Sequence, residues 1–196
     1  MTSTEQKALY QTIDDPIQLF IMFDHLPDIA TLSAQDIQAL IEDGIALKRG
    51  LASGYDYTSR LHNTLVLSLF FEASTRTRTS FEIAAKRLGA DFVTWDADTS
   101  SLSKGESFSD TIATLGAMGP DAVIVRHTDY NAPHTLIQQL KCPVINAGDS
   151  WRAHPTQALL DAMTIYEDKG RLEGLRIGIC GDIAHSRVAA SNIELL

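Results

Sequence analysis

Residues 65–89 read LVLSLFFEASTRTRTSFEIAAKRLG. Leu65 to Phe71 form a short, nearly continuous apolar run, the pattern of a strand buried on both faces. From Ser80 to Leu88 the apolar residues fall at helical spacing, and Gly89 closes the segment. Between them lie Ser74, Thr75, Arg76, Thr77, Arg78 and Thr79. A buried strand, a basic and hydroxyl-rich turn, and then a helix make the first half of a β–α–β unit.

Outward from this stretch the rhythm repeats. DFVTWD (91–96) predicts a second strand, and the polar loop TSSLSKGE leads to the helical ESFSDTIATLGAMG. DAVIVRH (121–127) predicts a third strand, HTLIQQL a helix, and CPVINAG (142–148) a fourth strand. HPTQALLDAMTIYEDKG predicts a long helix, LRIGICGD (175–182) a fifth strand, and SRVAASNIELL a last helix. Upstream, a short helix is expected around Ile17–Phe23. Ser33 and Asp36 have the spacing of a capping box. Ile37, Leu40, Ile41, Ile45 and Leu47 continue a helix that Gly50 is expected to stop. Strands alternating with helices predict an α/β fold, a parallel sheet with helices on both faces and right-handed crossovers. EDKGRLEG (167–174) is the expected boundary between a first domain, residues 1–170, and the start of a second α/β domain, residues 171–196.

Composition narrows the function. The chain has 196 residues, 44% of them hydrophobic, enough for one good core and part of another. A formal net charge of −9 gives no reason to attract nucleic acid or an anionic membrane. No apolar stretch approaches the length of a membrane span, and MTSTEQK is not a signal peptide, so the expected compartment is the cytoplasm. Cys142 and Cys180 are read as reduced and structural. No CxxC and no metal-ligand histidine spacing occurs, so no metal is implied.

In a parallel sheet of this kind, ligands bind beyond the carboxyl ends of the strands. The polar clusters fall there: STRTR, then Ser101 with Lys104, Arg126-His127, His154-Pro-Thr-Gln157, and Asp182 to Arg187. STRTR precedes a helix, where free N–H groups, hydroxyls and a planar guanidinium suit a phosphate. The plain alternatives are a capped helix with surface salt bridges for STRTR, a core histidine for His154, a solvated Lys104, and an Arg187–Asp182 ion pair. Walker and GxGxxG loops are absent, as are GxSxG, a Cys/His pair and a carboxylate pair. The available groups can hold a phosphate and polarise a carbonyl. They suit direct transfer of an acyl-like group from a phosphate ester or anhydride to an outside nucleophile, by orientation and charge stabilisation.

FFEASTRTRTSFE, SLSKGES, VRH, HPTQALLD and GDIAHSRVAASN, in this order, resemble the aspartate/ornithine carbamoyltransferase family, on the side of the aspartate carbamoyltransferase catalytic chains. The resemblance runs from about Ser33 to the end. It implies a carbamoyl-phosphate domain followed by an aspartate domain, and a homotrimer with active sites shared between subunits. It also implies a step of pyrimidine biosynthesis, no cofactor, and a place for regulatory or dihydroorotase partner chains. Ser74, Thr75, Arg76 and Thr77 would hold the phosphate. Thr77, Arg126 and His154 would face the carbonyl oxygen, and Gln157 the carbamoyl nitrogen. Lys104, with Ser101 near it, would reach a neighbouring subunit's site, and Arg187 would bind an aspartate carboxylate. The catalytic set so implied is Arg76, Thr77, Lys104, Arg126 and His154. Ornithine carbamoyltransferases share STRTR and HPxQ, and a cationic Lys104 and Arg187 fit a dicarboxylate better than a basic amino acid. Two departures stand out. GDSWRAHPTQ has Ser150 where the family has glycine, and the chain is expected to be a truncated one. Its expected function is therefore an enzyme incomplete by itself, or else a non-catalytic carbamoyl-phosphate-binding or assembly module.

Overall fold

The computed structural model describes residues 24–96 and 107–196. The helix expected around Ile17–Phe23 and the loop carrying Ser101 and Lys104 lie outside the described residues.

Helix α1 (Ala34–Ala52) starts as its sequence dictates. The Ser33 hydroxyl accepts from the Asp36 N–H, and the Asp36 carboxylate accepts from the Ser33 N–H at 2.8 Å. Gly50 does not stop it. The helix runs on to Ala52, and Gly50 is needed for contact, because a Cβ there would sit 1.9 Å from the Tyr57 hydroxyl oxygen. The following elements are β1 (Leu65–Phe70), α2 (Thr75–Leu88), β2 (Asp91–Asp96), α3 (Phe108–Ala117), β3 (Ala122–His127), α4 (Ala132–Gln139), β4 (Val144–Asp149), α5 (Pro155–Lys169) and α6 (Arg187–Leu195).

The four strands form one parallel sheet in the order β2-β1-β3-β4. Alternation along each strand divides the core. Leu67, Leu69, Val123, Val125 and Val144 face one side, packed against Ile112 and Leu115 of α3 and Leu136 of α4. Val66, Phe70, Ala122, Ile124 and Ala147 face the other, packed against Ala85, Phe81 and Leu88 of α2. Helices on both faces are thus the observed arrangement, and each fully buried Val or Leu contributes about 1.5–3 kcal/mol. A third cluster joins α1 to α5 and α6 through Ile41, Ile45, Ala162 and Leu195. The outer edge of β4 is not left open. Leu26 donates to the Val144 carbonyl at 2.8 Å and accepts from the Asn146 N–H at 3.0 Å.

The expected fifth strand does not form. Residues 175–182 are irregular, and Ile177 and Ile179 are more than two-fifths exposed. The sequence has the strand pattern, but no neighbouring strand among the described residues supplies the ladder, and a strand's hydrogen bonds are made only with a partner. Cys180, read as reduced and structural, is a free thiol but is exposed, because the strand that would carry it does not form, while Cys142 packs beside the α3–α4 side of the core.

This winding locates the site. From β1 the chain leaves to α2 on one face, and from β3 to α4 on the other, so a crevice opens between the carboxyl ends of these adjacent strands.

Candidate active site

Ser74 is the N-cap of α2, yet its side chain makes no capping hydrogen bond. The N-cap serines of α1, α3 and α6 all do: Ser33, Ser107 and Ser186 accept from the backbone N–H of Asp36, Asp110 and Ala189. The first turn of α2 also contains no acidic residue, and the first backbone donor in helical register is Arg78, to the Ser74 carbonyl at 3.1 Å. The hydroxyl and the helix N-terminus are therefore both open to an anion.

Arg126 is the penultimate residue of β3 and is 8% exposed, a burial that a charge tolerates only with a partner. The partner is Glu72, one residue past Phe71. Its Oε1 accepts from Arg126 Nη2 and from Arg187 Nη2, each at 2.9 Å, and its Oε2 accepts from Arg187 Nη1 at 2.9 Å. Arg187 Nη1 also donates to the Ser150 carbonyl at 2.8 Å. Hydrogen bonds from Arg187 hold the Glu72 carboxyl below the usual carboxylate range against the opposing effect of burial, and Arg126 adds to the lowering. The bland pairing of Arg187 with Asp182 is not observed. Asp182 pairs with His185 instead.

Backbone irregularities aim these groups. The β3–β4 register shifts between Val125 and His127, a bulge on the β4 side. Gly148 at φ 134 lies within it, and a Cβ there would be 3.1 Å from Arg126 Nη1. Ser150, in the GDSWRAHPTQ stretch, adopts φ 48. A left-handed serine costs about 1–2 kcal/mol. It is held by its own N–H donating to the His127 carbonyl at 2.9 Å, and its carbonyl is the one that receives Arg187. The loop is further fixed by Arg152, which donates to Asp149 and, at 2.9 Å, to Asp28.

His154 precedes α5, with Pro155 at the first helical position, and its N–H donates to Ser191 Oγ at 2.9 Å. It is 6% exposed. Burial first, then the charges of Arg126 and Arg187, push its imidazole down from 6.5 to about 4. The ring is neutral at pH 7. Because the folded state disfavours its proton, His154 contributes stability that is complete above pH 6.5 and is lost as pH falls towards about 4. We expect its ring protons to titrate near 4 by NMR, and unfolding free energy to fall by up to roughly 3 kcal/mol across that window. An imidazole titrating at 6.5 contradicts this burial.

These groups share one cavity of about 680 Å³, lined by Ser74, Arg76 and Thr77 of the α2 turn, by Arg126, by His154 and Gln157, and by Arg187. Six of the seven residues expected at the phosphate and carbonyl line it, and so does Arg187, one of the two expected at the second substrate; the other, Lys104, lies outside the described residues. Thr75 is exposed at the start of α2 and is not among the lining residues. Glu72 was missed by sequence reasoning, since a lone carboxylate beside STRTR carries no spacing signal. Arg152 was missed as well. No cluster able to hold a metal occurs among the described residues, and no helix there is long and apolar enough to cross a membrane.

The comparisons agree with this geometry. An aspartate carbamoyltransferase catalytic subunit from Solibacter usitatus is 52% identical over 168 residues, covering 86% of this chain and 56% of the relative. One from Acidiphilium cryptum is 53% identical over 175 residues, covering 88% of this chain and 55% of the relative. Among solved structures, aspartate transcarbamoylase from Trypanosoma cruzi in complex with carbamoyl phosphate and aspartate superposes with a TM-score of 0.84 at 35% identity, covering 88% of this chain and 54% of that one. The chain thus spans about half the length of the curated relatives it matches. The family described as aspartate/ornithine carbamoyltransferase, carbamoyl-P binding domain, matches residues 24–167, which hold all four strands and every cavity residue named above except Arg187. On that match and on the fold, this chain belongs to the aspartate/ornithine carbamoyltransferase family.

Proposed function

We propose that this chain supplies the carbamoyl-phosphate half of an aspartate carbamoyltransferase, which moves the carbamoyl group of carbamoyl phosphate to the amine of L-aspartate. The observation that carries this reading is the single cavity uniting the open α2 N-terminus, Arg126, a neutral His154 and Gln157. Ser74, Arg76 and Thr77 hold the phosphate through side chains, and Thr75 contributes its backbone N–H at the helix end. Thr77, Arg126 and His154 face the carbonyl oxygen. Arg126 supplies the charge that stabilises the tetrahedral oxyanion, and a neutral His154 donates a hydrogen bond beside it without adding a second cation. Gln157 takes the carbamoyl nitrogen. The uncharged amine attacks the carbonyl carbon, the C–O bond to phosphate breaks, and the leaving phosphate accepts the amine proton.

Arg187 is assigned to an aspartate carboxylate, and the names of the relatives favour aspartate over ornithine. Lys104, with Ser101, is assigned to the site of a neighbouring subunit in a homotrimer. Residues 1–170 are assigned to the carbamoyl-phosphate domain and 171–196 to the start of the aspartate domain, in a cytoplasmic enzyme of pyrimidine biosynthesis. Product identification tests the reading. The enzyme containing this chain is incubated with carbamoyl phosphate and either L-aspartate or L-ornithine. N-carbamoyl-L-aspartate is the expected product, and citrulline alone would overturn the choice of acceptor.

A further inference from the structure

Gln157 and Asp161 stand one turn apart on α5, and Gln157 Nε2 donates to Asp161 Oδ1 at 2.9 Å. The other carboxylate oxygen, Oδ2, accepts from Asn192 Nδ2 of α6 at 2.8 Å. Asn192 Nδ2 also donates to the Val188 carbonyl at 3.1 Å, so its amide has its donors on two acceptors. An ionised carboxylate only accepts hydrogen bonds. Asp161 must therefore receive the nitrogen end of the Gln157 amide, and Asn192 holds the carboxylate where it can do so. That leaves Gln157 Oε1, which takes no hydrogen bond among the described residues, as the polar atom this side chain presents to the cavity.

From this chain of contacts we infer that Asp161 is a specificity-determining positioning residue. By fixing which end of the Gln157 amide faces the ligand, it makes the cavity select an acyl phosphate whose acyl carbon bears an N–H donor. An acetyl phosphate has a methyl group there and leaves Oε1 without a partner, which a hydrogen-bonding site rejects. The inference rests on the proposed reading of the cavity as a carbamoyl-phosphate site and deepens it. Asn192 lies five residues past Arg187 on the same helix. The group assigned to the second substrate and the group that orients the first are thus carried by one rigid element.

The test is calorimetric binding of carbamoyl phosphate, acetyl phosphate and inorganic phosphate to the wild-type enzyme containing this chain and to its Asp161→Asn variant. Wild type is expected to prefer carbamoyl over acetyl phosphate by roughly tenfold or more, the worth of about one hydrogen bond and its unmade counterpart. An asparagine at 161 has only one acceptor, which Asn192 Nδ2 claims, so its NH2 turns to Gln157 and engages Oε1 in place of Nε2. The preference is then expected to fall below about threefold, with inorganic phosphate affinity unchanged because that ligand has no acyl group. A preference retained in Asp161→Asn overturns the inference, as does a wild type that binds both acyl phosphates equally and more tightly than inorganic phosphate. A wild type that binds neither acyl phosphate more tightly than inorganic phosphate overturns the carbamoyl-phosphate reading itself. Should Asp161→Asn lose phosphate binding altogether, Asn192→Ala decides. A reduced preference there supports the positioning role, and an unreduced one refutes it.

Discussion

Arg126→Ala is expected to weaken carbamoyl-phosphate binding by more than about a hundredfold, the largest loss of any single change in the cavity. Three features of its surroundings set that size. The side chain is fixed before any ligand arrives, by its place at the end of β3, by Glu72 and by the glycine at 148. Little ordering entropy is therefore lost when it takes an oxyanion. It is nearly buried, so its charge acts in a low effective dielectric, and its Nε is buried without a partner among the described residues. Truncating one member of such a buried, charge-assisted contact costs about 2–5 kcal/mol, and each 1.4 kcal/mol is tenfold in affinity. Arg126→Lys keeps the charge but not the planar fork, and is expected to lose about tenfold. Arg76 is exposed on the α2 turn, so its removal should cost less than that of Arg126. Calorimetric titration with carbamoyl phosphate measures all three. An Arg126→Ala affinity within threefold of wild type removes Arg126 from the site.

How much of this was readable from sequence follows from the range of each interaction. The four strands and their helices were legible because their signals are local: an apolar run, a helical period, a glycine cap, a capping box at Ser33 and Asp36. Residues 175–182 have equally good local signals and fail to form a strand, because a strand is a property of two segments and only one is present among those described. The grouping of Ser74, Arg76, Thr77, Arg126, His154, Gln157 and Arg187 in one cavity was also legible, since sheet winding sends strand ends to one edge. Glu72 was not. Its partners lie 54 and 115 residues away, and nothing in FFEASTR distinguishes a carboxylate that binds two arginines from one that faces water. The Gln157–Asp161 pair lies between these cases. Its four-residue spacing was visible in HPTQALLD, but the Asn192 contact that fixes the carboxylate required the fold. The αL conformation of Ser150 was signalled by the departure from glycine, while its use, a carbonyl aimed at Arg187, was not.

Glu72→Ala is expected to produce the largest loss of stability, and to make that stability depend on anions. The substitution leaves Arg126 and Arg187, whose side chains are 10% and 17% exposed, without the carboxylate between them. Removing one partner of a buried ion pair costs about 3–5 kcal/mol, and partial solvent access puts this site at the lower end. For a chain of this size each kcal/mol moves Tm by about 2–4 °C, so a fall of about 6–12 °C is expected by calorimetry. Wild type should show the same linkage in acid. The Glu72 carboxyl is held below its unfolded value, so its contribution is present above about pH 4.5 and is lost as pH falls through the lowered folded value. The variant should lack that component of the acid transition. Inorganic phosphate can replace the missing carboxylate, because the two freed guanidiniums line the same cavity as the α2 N-terminus. Adding millimolar phosphate is therefore expected to raise Tm more in Glu72→Ala than in wild type, through preferential binding to the folded state. If the variant melts where wild type does, or gains no more from phosphate than wild type gains, then Glu72 is not what holds the two arginines in place.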